Sequence, residues 1–159
     1  MLHRVGLYAA IEMDLVGGRR LIELKGFKCK VSSTQEGSGN FSKQHMFDEN
    51  EDTCWYSKPG PNQWIVLAFD KPVVLAEIRI MFQGGFVGTT TVIEGEQPQF
   101  SWSPLCEAFH LEDGNALQVL SIPPDRDRPA HQIYRIRFLT SSDLYGRITI
   151  YKLQVFAYE

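Results

Sequence analysis

Phe47-Asp48-Glu49-Asn50-Glu51-Asp52-Thr53-Cys54-Trp55, then Gln63-Trp64-Ile65-Val66-Leu67-Ala68-Phe69, then Ile78-Arg79-Ile80-Met81-Phe82-Gln83-Gly84-Gly85-Phe86 are the stretches whose reading decides the fold. A run of acidic and amide side chains cannot enter a buried strand, so Asp48 to Asp52 reads as a loop. Trp55 and Trp64 border it, and indoles of that size are expected in the core, pinning the loop from both sides. Trp64 to Phe69 is apolar at every position, which predicts a central strand covered on both faces. From Val73 to Phe82 the pattern alternates. It assigns Val74, Ala76, Ile78, Ile80 and Phe82 to the core and Glu77 and Arg79 to the outer face.

Working outward, Phe27, Cys29 and Val31 alternate with Lys28, Lys30 and Ser32, which predicts a strand over Phe27–Ser33. A Gly- and Ser-rich loop (34–40) and a turn of helix or irregular approach (Phe41 to Phe47) lead to the acidic loop. On the other side Gly84-Gly85 breaks the ladder, and Thr89 to Ile93 is β-branched enough for the next strand. Glu94 to Pro104 reads as a loop. Short strands are expected at Leu105–Leu111 and Leu117–Ile122, divided by the turn Asp113-Gly114-Asn115. Ile133 to Leu139 alternates with Tyr134, Ile136 and Phe138 inward and Arg135 and Arg137 outward. In the last strand, Arg147 to Ala157, the apolar set changes phase after Ile150, which predicts a β-bulge there. Roughly eight short strands with almost no helical period predict an all-β fold, a two-sheet antiparallel β-sandwich or jelly roll.

The chain of 159 residues is long enough for one core. Residues 1–25, without a clean period except an edge-strand pattern at Leu21–Leu24, are set apart as an N-terminal extension; residues 26–159 form the domain. The apolar run Val5–Ile11 is too short and too acidic at its end for a signal peptide, and no stretch is long enough to span a membrane. A net charge of −3, with Arg19-Arg20 the nearest approach to a basic cluster, gives no basis for nucleic-acid binding. Cys29, Cys54 and Cys106 are odd in number, widely spaced and without a Cys-x-x-Cys pair. They read as reduced thiols of a cytoplasmic or nuclear protein.

Asp48-x-Asn50-x-Asp52 begins like a calcium loop, but Thr53 stands where that loop requires Gly and Pro59 where it requires a bidentate Glu. A self-bonded acidic turn is the simpler expectation. His3, His45, His110 and His131 are scattered and no Ser or Cys motif accompanies them, so the expectation is no enzyme, no metal and no cofactor. His45 and Asp48 are the one pair spaced as base and orienter. Two motifs do not read as core: Gln83-Gly84-Gly85-Phe86, whose glycines would expose backbone N–H groups to a partner, and Asp143-Leu144-Tyr145-Gly146-Arg147, which adds aromatic area and a guanidinium. The alternative reading is that both merely make tight turns, with Arg147 paired to Asp143.

Val31-Ser32-Ser33, Phe47-Asp48 to Thr53-Cys54-Trp55, Gln63-Trp64-Ile65-Val66-Leu67 and Tyr151-Lys152-Leu153-Gln154-Val155 together resemble the discoidin, or coagulation factor C-type, family. Phe82-Gln83-Gly84-Gly85-Phe86 and Asp143 to Ile148 resemble its small intracellular branch of nuclear receptor-associated proteins. The resemblance implies a galactose-binding-like β-sandwich and a non-enzymatic protein-interaction module with a protein partner, a nuclear receptor among the candidates. It implies carbohydrate as the alternative ligand. Carbohydrate-binding relatives hold a structural calcium with a glutamate where this chain has Lys152, an ammonium that cannot ligate a cation. The secreted members' closing disulfide has no counterpart, since Cys29 lacks a partner near the C-terminus. In the related Doc-type domain the loops corresponding to residues 83–87 and 141–147 lie together and receive a peptide, with the Gly-Arg dipeptide shared as Gly146-Arg147. The candidate partner-binding residues are therefore Gln83, Gly84, Gly85, Phe86, Asp143, Leu144, Tyr145, Gly146 and Arg147. Membrane binding through Phe86 and Leu144 would need basic clusters that the chain does not have, so no membrane is expected.

Overall fold

The computed structural model describes residues 15–16, 18–36 and 39–159; the Val5–Ile11 run lies outside them. The strands are β1 Leu15–Val16, β2 Arg19–Glu23, β3 Lys28–Val31, β4 Trp55–Tyr56, β5 Trp64–Val73, β6 Leu75–Phe82, β7 Thr90–Gln97, β8 Ser101–Pro104, β9 Phe109–His110, β10 Leu117–Ser121, β11 His131–Thr140 and β12 Thr149–Tyr158. They form two antiparallel sheets, one ordered β1-β2-β12-β6-β10 with β4 also on β12, the other β3-β5-β11-β7-β8 with β9 also on β7. Short 3-10 turns at Gly39–Phe41 and Lys43–Met46 make the approach to the acidic loop. The expected edge strand at Leu21–Leu24 is β2, whose pairing with β12 builds the end of residues 1–25 into the sheet.

The core lies between the sheets. Ile65 and Leu67 of β5 and Tyr134, Ile136 and Phe138 of β11 face Ile78, Ile80 and Phe82 of β6 and Leu153 and Val155 of β12. Rings of Phe82 and Phe138 meet edge to face at 5.9 Å across the interface. Trp55 is fully buried, and its indole N–H donates to the Ser33 carbonyl at 3.0 Å, tying the acidic loop's exit to the chain beyond β3.

Trp64 is different. Ile65, Leu67 and Phe69 take the core side of β5, which leaves Trp64, Val66 and Ala68 half-exposed on the outer face. The strand is central, between β3 and β11, but it is not covered twice: a two-layer sandwich has one interior, so a strand has one covered face. The alternation in β6 is corrected as well. Leu75, not Val74 or Ala76, joins the main core, while Val74 and Ala76 pack on the outer side with Leu21, Phe156 and Tyr158. An irregularity between Phe156 and Ala157 shifts the register there, and a second between Ile150 and Lys152 is the bulge expected from the sequence.

Glu94 to Pro104 is not a loop. β7 continues to Gln97 and turns back into β8. Glu94 tolerates a strand interior because Arg135 Nε and Arg137 Nη2 donate to its two carboxylate oxygens at 2.6 and 3.0 Å. Of the strand expected at Leu105–Leu111, Phe109–His110 alone pairs.

Candidate partner-binding end of the sandwich

β6 and β12 are antiparallel neighbours with Phe82 opposite Ile150, so the segment leaving β6 and the segment entering β12 emerge at the same end. The two candidate motifs meet there. Gln83 N–H donates to Thr149 O at 3.0 Å, Thr149 N–H to Phe86 O at 3.1 Å and Ser142 N–H to Val87 O at 2.9 Å. The Arg147 guanidinium lies 5.2 Å from the centre of the Phe86 ring and 5.5 Å from that of Tyr145.

Both motifs are also tight turns. Gly85 and Gly146 have φ of +88° and +80°, and a Cβ on Gly146 would collide with the Gly60 carbonyl. Asp143 organises its turn. Its Oδ2 accepts the N–H groups of Tyr145 and Arg147 and the Arg147 Nε–H, at 3.1, 3.0 and 2.9 Å, while Oδ1 accepts Arg147 Nη2 at 3.0 Å. The pair with Arg147 holds the Asp143 carboxyl below its usual range and raises Arg147 above its own. Arg147 is thus a strut that keeps two rings in place, not a free fork.

The glycine amides expected to face a partner are already used: Gly84 N–H donates to Asn115 Oδ1 at 2.6 Å and Gly85 N–H to Asp113 Oδ1 at 2.8 Å. What the turns present is side-chain area. Leu144 is 90% and Tyr145 64% exposed, whereas Phe86 is half-buried. Sequence reasoning missed three contributors. Tyr56 packs on Phe86 at 5.5 Å and Phe41 on Tyr56 at 5.5 Å, extending the aromatic row. Gly60 N–H donates to Tyr145 O at 2.8 Å, so the 58–62 loop buttresses the turn. The signal for Tyr56 was present: it follows Trp55 in a strand, and a core-plugging Trp55 sends its neighbour outward.

The other candidates resolve into structure. Asp48 Oδ1 accepts Asn50 N–H, Asn50 Oδ1 accepts Asp52 N–H, both at 2.9 Å, and Thr53 Oγ1 donates to Asp48 Oδ2 at 2.6 Å, making a self-bonded turn. His45 bridges Gly39 O at 2.7 Å and Asp48 Oδ2 at 2.9 Å, and the carbonyl first, then the carboxylate, raise its pKa. The three cysteines are free. Burial pushes the Cys29 thiol up to about 11 and raises Cys54 and Cys106, which disfavours the nucleophilic thiolate. Among the described residues no group of three His, Cys, Asp or Glu is placed to hold a metal.

The chain is 41% identical over 115 residues to the nuclear receptor 2C2-associated protein of Danio rerio, covering 72% of this chain and 79% of that one. It is 38% identical over 128 residues to the Mus musculus protein of the same name (79% and 87% covered) and 36% identical over 128 residues to the Homo sapiens one (79% and 88%). No protein-family model matches the chain. Among solved structures it resembles an F5/8 type C domain from Bacteroides fragilis, with a TM-score of 0.70, 14% identity and 86% and 96% coverage. It also resembles the family 32 carbohydrate-binding module of C. perfringens NanJ in complex with galactose, with a TM-score of 0.62, 18% identity and 82% and 93% coverage. These likenesses place the chain in the galactose-binding-like, discoidin fold.

Proposed function

The chain belongs to the nuclear receptor 2C2-associated protein family, and from that premise we propose that it is a non-enzymatic interaction module, nuclear or cytoplasmic, that regulates transcription by associating with a nuclear receptor. The observation that carries the reading is the exposed pair Leu144 and Tyr145 on a turn fixed by Asp143 and Arg147. Apolar side chains carried on a backbone already ordered before binding cost little loop entropy on association, which favours an interface hot spot. Phe86, Tyr56 and Phe41 continue the surface beside it, while Gln83, Gly84, Gly85 and Gly146 shape the backbone beneath. Neither nucleic acid nor a membrane is part of this reading.

The test is affinity purification of the tagged chain and of a Leu144→Ala, Tyr145→Ala double variant, beside a glycan array. A nuclear receptor retained by the native chain and weakened by more than about 2 kcal/mol in the variant, at an unchanged melting temperature, is the expected result. Equal retention by the variant removes these loops from the interface. Binding to glycans alone replaces the reading with that of a carbohydrate-binding module.

A further inference from the structure

β12 has β6 along one edge, but its other edge is shared by two short strands. β2 pairs with Phe156 to Tyr158 and β4 with Thr149 and Ile150. Leu24 N–H adds one bond to Val155 O at 2.8 Å. Between them, Tyr151 to Gln154 has no partner strand on that edge among the described residues, and a cleft of about 280 Å³ opens there. Its apolar lining comes from Leu24, Phe27, Met46, Phe47 and Leu153.

Two charged groups in the lining are incompletely used. The Glu23 side chain is 3% exposed, and Lys25 Nζ at 2.6 Å and Gln154 Nε2 at 3.3 Å both go to its Oε1. Oε2 takes no donor among the described residues and is not one of the fully buried atoms that lack a partner, so it keeps contact with solvent and is free to accept a donor from a bound molecule. Lys152 lines the same cleft and has neither an ion-pair nor a hydrogen-bond partner among the described residues. The other charged residues of the lining, Lys25 and Glu49, are of opposite sign.

We propose that this cleft binds a small zwitterion of the α-amino-acid class with an apolar side chain. Its ammonium donates to Glu23 Oε2, its carboxylate accepts from Lys152, and its side chain lies against Met46, Phe47 and Leu153. Flanking lysines disfavour a bare cation, and the Glu23 carboxylate disfavours a bare anion. Size points the same way: pockets for drug-sized ligands begin near ~300 Å³, so this cleft suits one amino-acid-sized molecule. The site shares no residue with the Leu144 and Tyr145 surface and stands or falls independently of it.

The experiment is a titration of the ¹⁵N-labelled chain with L-leucine, followed by amide chemical shifts, with N-acetyl-L-leucine, L-leucinamide and calcium chloride as comparison probes. Saturable shifts at residues 23–27 and 151–154 are expected with L-leucine, with binding about tenfold weaker when either charge is blocked. Lys152→Ala removes a half-exposed, unpaired ammonium, so it should keep the melting temperature and weaken leucine about tenfold. Glu23→Gln should weaken it similarly; should that variant fail to fold, Lys152→Ala and the blocked compounds decide. No saturable shifts with leucine, unchanged affinity in Lys152→Ala, equal binding of N-acetyl-L-leucine, or the same shifts produced by calcium would each overturn the assignment.

Discussion

Trp55→Ala, set against Trp64→Ala, separates the core of this fold from its surface. Trp55 has no exposed surface, so truncation carries the ordinary cost of an aromatic cavity, about 3 to 5 kcal/mol. The Ser33 carbonyl also loses its indole donor, adding up to about 1 kcal/mol. For a chain of 159 residues each kcal/mol lowers the melting temperature by roughly 2–4 °C, so the drop should be about 6–24 °C. Trp55→Phe restores most of the volume without the N–H and should cost about 1–2 kcal/mol. Trp64 is half-exposed on the outer face of β5, and losing its partial burial should cost only about 1 kcal/mol. Urea and thermal unfolding followed by far-ultraviolet circular dichroism measure all three without relying on tryptophan fluorescence. A Trp55→Ala protein melting within about 3 °C of the native one, or a Trp64→Ala protein as damaged as Trp55→Ala, would refute the assignment of faces.

Gly146→Ala should cost more than Gly85→Ala in urea unfolding. Both residues have positive φ, a penalty of about 1–2 kcal/mol for alanine, but at Gly146 alone does the new Cβ strike the Gly60 carbonyl; equal costs would count against that contact. His45 has a raised folded pKa, so its contribution is complete below the unfolded value of about 6.5 and is lost as pH rises through the folded value. The stability difference between native and His45→Gln proteins should therefore shrink above pH ~6.5, and a pH-independent difference would remove the bridge from Gly39 to Asp48. Millimolar calcium over chelator should move the melting temperature by less than about 1 °C, since Asp48 and Asn50 already accept hydrogen bonds from their own loop. A rise of several degrees would show a native-state site.

Much of the fold was legible because side-chain period is a local property. The alternation of Tyr134, Ile136 and Phe138 placed β11, the phase change after Ile150 placed the bulge, and the acidic run could be nothing but a loop. The convergence of Phe86, Tyr145 and Arg147 was legible as a consequence of sandwich topology, and so was the pairing of Arg147 with Asp143. What the surface offers was not. The Gly84 and Gly85 amides are consumed by Asn115 and Asp113, partners no local pattern in the 83–87 segment could announce.

By itself the sequence determined which segments extend, where they turn and which residues are large enough to fill a core, since these follow from each residue and its near neighbours. The tertiary structure decided which of two apolar faces is covered, which left Trp64 outside. It decided that Glu94 could occupy a strand, because its counter-charges stand on β11, and that Tyr56 and Phe41 would continue the ring row from Phe86. It also decided that β2 and β4 would stop short of each other on β12 and leave a cleft. Each of these depends on pairings between segments far apart in the chain, and a charge, a ring or a strand edge acquires its meaning only from the neighbour that folding supplies.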